Sequence, residues 1–191
     1  MRSNVLQKAL MENKDIIGIM LAAAFILLLP LLAMQITEEV VWDLADFAVA
    51  WALLVGAGLT YKLATRKAGN IAYRAAVGVA VATALILVWM NLAVGLIGSE
   101  GNPANLMYGG VLAVGIIGAI IARFRPHGMA LALFATALAQ LLVGVIALIA
   151  GMNFTLILNA LIVNAFFAAL WVGSALLFRR AAQGDAGPQL R

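Results

Sequence analysis

Cysteine is absent, and histidine occurs once, at His127. The first absence removes disulfides, thiolate catalysis, cysteine-ligated zinc and iron–sulfur clusters. The second removes bis-histidine haem ligation within one chain. Charge is scarce too: 10% of the 191 residues are Asp, Glu, Lys or Arg, against about 25% in a soluble domain. What fills the chain is apolar, at 65% of residues with a mean hydropathy of +1.09. No water-soluble core of this size absorbs so many apolar side chains. The expectation is an integral membrane protein forming a single membrane domain over 1–182, with a short polar tail at 183–191.

The catalytic sets known to work inside membranes are missing as well. Glu38-Glu39 matches the paired glutamates of CAAX-type intramembrane proteases. Those enzymes also need an arginine shortly after and histidines on other helices, and neither is found. There is no Ser–His pair at membrane depth, and Asp43 and Asp46 sit on one segment rather than two. No Walker motif occurs, nor a membrane-embedded lysine for a Schiff base. The sequence therefore predicts no catalytic residue, no metal site, no cofactor and no enzyme activity.

Six apolar segments are present, at 16–34, 44–61, 75–97, 106–122, 129–150 and 156–178. Each is long enough for a hydrocarbon core of about 30 Å, and the runs are continuous rather than alternating. An all-α bundle of six transmembrane helices is expected. The first run is longer than the apolar region of a signal peptide, and no small-residue cleavage pattern follows it. It is read as a first span.

All 12 basic residues fall in the N-terminal segment, at 62–74, at 123–125 or at 179–191. The segments 35–43, 98–105 and 151–155 contain none. Six spans with both termini cytoplasmic put every Lys and Arg on one side, as the positive-inside bias demands. The net charge of +4 is thus topology and contact with anionic lipid, and no nucleic-acid partner is expected. Arg74, at the start of the third span, is expected to snorkel toward headgroups.

Punctuation sets finer expectations. Thr37 is expected to cap a second helix starting near Glu38, with Glu39, Asp43 and Asp46 on one face. Pro30 should bend the first span. Asn102-Pro103 reads as the cap and first position of the fourth helix. Residues 125–128 read as a tight turn, and Gly151 and Asn153 as the end of the fifth helix and the cap of the sixth. Tyr61, Tyr73 and Tyr108 are expected in the interfacial belt. Small residues recur at Ala48, Ala52 and Gly56, at Ala76, Ala80 and Ala84, and at Gly110, Gly115 and Gly118, permitting close helix approach. The string Ala-Thr-Ala-Leu occurs at both 82–85 and 135–138.

Polar residues at membrane depth are the natural suspects for function. Glu39, Asp43, Asp46, Asn91, Gln140, Asn159 and Asn164 form the candidate cation or solute site. The amides are expected to point inward, because an amide in hydrocarbon needs a partner. Each has a plainer reading: the acids favour a helix start, and the amides tie helices together. Trp51, Trp89 and Trp171 pack around a ligand or simply in the core. Glu100 and Asn102 form a candidate outer-loop contact.

Residues 91–108, NLAVGLIGSEGNPANLMY, resemble a string found in uncharacterised bacterial multi-pass membrane proteins. The likeness continues through 116–123. It implies a six-span protein of a bacterial inner membrane and no particular activity. Two functional expectations stand beside it. One is an accessory or self-associating membrane subunit, whose partners are the lipid bilayer and a protein or a second copy. The other is a small transporter or channel for a cation or small solute, with a polar cavity opening outward.

Overall fold

The continuous apolar runs become helices in the computed structural model, because in such a run only intra-helical bonds satisfy every backbone N–H and C=O. The structure describes residues 2–66, 68–99, 101–149 and 154–185, with side chains described for 13–149 and 158–184 apart from 67 and 100. In chain order the helices are α1 (Arg2–Ile36), α2 (Leu44–Thr65), α3 (Ile71–Ala93), α4 (Met107–Ile121), α5 (Pro126–Ile149) and α6 (Phe154–Asp185). A 3₁₀ turn, Pro103–Leu106, leads into α4. The described residues contain no strand, and six helices are long and apolar enough to cross a membrane.

The chain divides into two compact units, Met1–Leu63 and Ala64–Arg191. In the first, α1 and α2 approach closely where Gly58 lies beside Ile19. A Cβ built at Gly58 would come within 2.6 Å of Ile19 Cγ2. Lys62 reaches Asp15 at 3.5 Å, with Asp15 largely exposed, a geometry that adds little stability. Pro30 lies inside α1.

In the second unit α5 packs against both α4 and α6, and α6 also packs against α3. The buried positions of α5 include Met129, Leu133, Thr136, Gln140, Val143 and Ala147, which repeat at three and four residues. On α6 the matching stripe includes Ala160, Asn164, Phe167, Trp171, Ala175 and Phe178. Large apolar side chains on the other faces of these helices, such as Leu138, Leu142 and Ile162, are exposed. Such helices are apolar all round, as membrane spans are. Small residues set the close contacts. At Gly118 an added Cβ would come within 2.7 Å of Ala132 Cβ, and at Gly115 within 3.2 Å of Thr136 Oγ1. Ser174 Oγ donates to the Ala76 carbonyl at 2.7 Å, joining α6 to α3. Thr83 and Thr136, at matching places in the repeated string, are both buried and donate to the carbonyl four residues back.

Several boundaries differ from expectation. The third span was expected over 75–97, but α3 occupies Ile71–Ala93. It starts early because Asn70 caps it, accepting bonds from the N–H groups of Ala72 and Tyr73. It ends early because Gly95 and Gly98 take left-handed φ values of +67° and +73° and turn Leu96 and Ile97 back into the core. Asn105 organises this loop. Its Oδ1 accepts from the N–H groups of Leu96 (3.0 Å) and Ile97 (2.9 Å), and its Nδ2 donates to the Ser99 carbonyl (2.7 Å). Asn102 caps the 3₁₀ turn through Ala104 N–H, with Pro103 following, as its sequence suggested.

Pro126, His127 and Gly128 form the first turn of α5 rather than a loop, and the reversal is made by Arg123 and Phe124. Tyr73 and Tyr108 are buried. Their hydroxyls are used inside the unit, so burial costs them no unpaired polar atom. Of the tail expected from residue 183, the first three residues continue α6. Gly151 and Asn153 lie outside the described residues.

Replacing Asn105 by Ala leaves the buried N–H groups of Leu96 and Ile97 without their partner, while the Ser99 carbonyl keeps the Asn102 N–H. The expected loss is about 2–4 kcal/mol of stability. A drop in the thermal midpoint in detergent, with helix content retained before the transition, is the outcome to look for.

Candidate functional site

The acidic opening of α2 is built by local rules. Asp43 is the cap residue: Asp46 N–H donates to Asp43 Oδ1 at 2.9 Å, and Asp43 N–H donates to Asp46 Oδ2 at 2.9 Å. The first helical bond follows, from Phe47 N–H to the Asp43 carbonyl. Trp42, just outside, meets Phe47 edge to face with ring centroids 5.2 Å apart. This is a capping box closed by a hydrophobic staple, with both carboxylates at the positive end of the helix dipole. Both acids are exposed.

Thr37 is not the cap of α2. Its N–H donates to the Ala33 carbonyl at the end of α1, and its Oγ1 accepts from Glu39 N–H at 3.1 Å. Residues 37–43 are not helical, so Glu39 does not share a helix face with Asp43 and Asp46. The cause is the stronger reciprocal cap at Asp43, which fixes the helix start beyond Glu39.

In the second unit two of the candidate amides meet at the junction of α4, α5 and α6. Gln140 Nε2 donates to Asn164 Oδ1 at 2.8 Å. Asn164 Nδ2 donates to the Tyr108 hydroxyl at 3.0 Å and to the Ala160 carbonyl at 2.8 Å. Trp171 Nε1 donates to Gln140 Oε1 at 3.3 Å. Exposure is 0% for Gln140, 1% for Asn164 and Tyr108, and 3% for Trp171. Gly144 makes room for the cluster: a Cβ there would sit 3.2 Å from Asn164 Cβ.

The bonds also fix which way each amide points. The Ala160 carbonyl accepts only from an N–H, so Asn164 presents Nδ2 to it and Oδ1 to Gln140. Gln140 must then offer Nε2 to Asn164 and Oε1 to the indole. Donation runs one way, from Trp171 through Gln140 and Asn164 to Tyr108. With these partners in place the cluster has no titrating group beyond the phenol and no carboxylate. What these bonds do is tie α4, α5 and α6 together.

The other candidates lie elsewhere. Asn91 Nδ2 makes a long bond of 3.4 Å to the Asn105 carbonyl, which places it with the α3–α4 loop. Its Oδ1 is the buried side-chain polar atom without a partner among the described residues. Asn159 was expected to face inward, but it is exposed on α6, with Leu158, Ile162 and Phe166 exposed around it. It sits outside the stripe Ala160–Asn164–Phe167 that α6 buries. Asn102 Oδ1 serves as a cap, and Glu100 lies outside the described residues. No group of three or more His, Asp or Glu able to hold a metal occurs among the described residues.

Tyr108 and Asn105 are the members that sequence reading missed. The one was expected in the interfacial belt, and the other was assigned no role. Spacing carries no signal for them. Asn105 and Tyr108 lie three apart where a helix begins, yet they serve different neighbours, Asn105 the loop at Leu96–Ser99 and Tyr108 the amide of Asn164. Comparison of the chain with protein-family models, curated proteins and solved structures gives no match.

Gln140→Leu leaves the Trp171 N–H and Asn164 Oδ1 unpaired at nearly constant volume. It should cost about 1–2 kcal/mol. A double-mutant cycle with Asn164→Leu should return a coupling of about 0.6–1.7 kcal/mol in reversible unfolding from lipid or detergent. Additive effects would mean that the two amides act independently.

Proposed function

We propose that this is a multi-pass membrane protein without catalytic apparatus that acts as an accessory or self-associating subunit. One observation carries the reading. The buried amides Gln140 and Asn164 are spent on each other and on Tyr108 and Trp171, while Asn159 is left exposed among apolar side chains. An amide facing hydrocarbon gains by pairing across helices, either with another protein or with a second copy. Engagement of Asp43 and Asp46 in a helix cap supports the same reading, because it accounts for these acids without an ion. The positive-inside bias supports cytoplasmic termini, and the resemblance of 91–108 supports a bacterial inner membrane.

The alternative is a small transporter or channel for a cation or small solute. It is favoured by Asn91 Oδ1, a buried acceptor with no donor among the described residues. The two readings give opposite results in two assays. For the subunit, mild-detergent purification yields a species heavier than one chain, and Asn159→Leu shifts it toward the monomer. Proton or cation flux in liposomes is then the same for wild type, Asp46→Asn and Asn91→Leu. A lone wild-type monomer, with flux lost in Asn91→Leu, overturns the subunit reading. A periplasmic signal from a reporter fused at Glu100 checks the sidedness, and a cytoplasmic signal inverts it.

A further inference from the structure

Three aromatic residues meet at one end of the second unit. The Tyr73 hydroxyl, at the start of α3, donates to the Phe124 carbonyl at 2.8 Å. The Tyr73 ring packs edge to face on Phe178, near the end of α6, with centroids 5.1 Å apart. Asn70 Nδ2 adds a bond to the Ala181 carbonyl at 3.2 Å. The beginning of α3, the α4–α5 turn and the end of α6 are therefore fastened together at Tyr73.

Each member of this node is followed or flanked in sequence by arginine: Tyr73 by Arg74, Phe124 by Arg123 and Arg125, Phe178 by Arg179 and Arg180. All five arginines are exposed. Beyond residue 63 the sequence has two acids, Glu100 and Asp185. Glu100 belongs to the loop at the other end of α3, so within this unit Asp185 is the acid whose place in the chain order lies near these arginines. Five cations thus come from three separate segments to one end of the unit.

The turn at the centre of the cluster is strained in a way that has no local excuse. Arg123 and Phe124 adopt φ of +50° and +57°, a region that side chains other than glycine enter at a cost of roughly 1–2 kcal/mol each. The backbone bonds are all made: Arg123 N–H to the Ile120 carbonyl, Phe124 N–H to Ala119 and Arg125 N–H to Ala122. Glycine would make the same bonds without strain. What the actual residues add is a half-exposed phenyl side chain, 49% accessible, flanked in sequence by two exposed arginines. Strain retained at a surface turn points to a use for the side chains that carry it.

We propose that Arg123, Phe124 and Arg125, together with Arg74, Arg179 and Arg180, form a binding surface for anionic phospholipid headgroups. Guanidinium forks match the oxygens of a phosphodiester, and the phenyl ring enters the acyl boundary beside it. The segment is an interfacial clamp that fixes the depth of the α4–α5 turn in the leaflet. It rests on the chain crossing a bilayer and not on its being a subunit of anything.

The test uses the full chain in mixed micelles containing equal amounts of phosphatidylglycerol and phosphatidylcholine, with retained lipid read by native mass spectrometry. Wild type should retain phosphatidylglycerol preferentially. The preference should fall roughly fivefold for each arginine removed along the series R123Q/R125Q, R179Q/R180Q and all four together. The corresponding four-lysine variant should keep most of it. Circular dichroism melts confirm that each variant is folded, and the two pairwise variants carry the test if the fourfold one is not. An unchanged preference in folded glutamine variants overturns the proposal. So does displacement of the lipid by millimolar inorganic phosphate, or an acidic polypeptide held by the same arginines with no lipid preference.

Discussion

A polar group inside hydrocarbon has to find its partner within the protein, and that requirement arranges most of this molecule. At the junction of α4, α5 and α6 it is met by side chains: one indole, two carboxamides and one phenol, each from a position the helices bury. In the α3–α4 loop it is met by Asn105, which stands in for the strand or helix partner that Leu96 and Ile97 lack. Elsewhere on α3, α5 and α6, Thr83 and Thr136 return their hydroxyls to their own helix and Ser174 reaches across to the Ala76 carbonyl. Apolar area contributes less to such an arrangement than it would in water, because lipid tails solvate Leu as well as another helix does. Close approach at glycine and alanine, together with these bonds, supplies the specificity.

The acids and the arginines follow a different logic, because they stay near water. Asp43 and Asp46 begin a helix by bonding each other's N–H groups, with Trp42 and Phe47 closing over the turn. Their charge complements the N-terminal dipole and needs no counter-ion there. The arginines cluster around Tyr73, Phe124 and Phe178, where three chain segments are pinned. Here charge is added to a turn whose backbone would be easier without side chains. The two clusters show how a chain with few charged residues uses them at its helix ends.

Much of the architecture was legible in the sequence, for identifiable reasons. The number of helices followed from continuous apolar runs, and Asn102-Pro103 announced its own cap. Helix limits were harder. Hydropathy extended the third span through Leu96 and Ile97, which are apolar because they fold back into the core, not because they continue the helix. Thr37 was a reasonable cap by type, but the reciprocal pair at Asp43 and Asp46 outcompetes it. Pairing among amides was the least accessible feature. Gln140 and Asn164 are 24 residues apart on antiparallel neighbours, and their meeting depends on where the α5–α6 connection sets the register. Asn159 shows the limit from the other side, since a five-residue offset on the same helix sends an identical side chain to the opposite face.

The one-way run of donors from Trp171 to Tyr108 has a mechanical consequence. Three helices are coupled at a single level by groups that cannot exchange roles, because the Ala160 carbonyl dictates the orientation of Asn164. Sliding α5 along α6 by one turn, about 5.4 Å, would break the Gln140 bonds to both Asn164 and Trp171 and bring Thr136 and Ala137, or Val143 and Gly144, to the level of the amides. Smooth glycine and alanine surfaces would otherwise tolerate such axial slip. The cluster therefore acts as a vernier mark: it selects one vertical alignment among several that packing alone would accept.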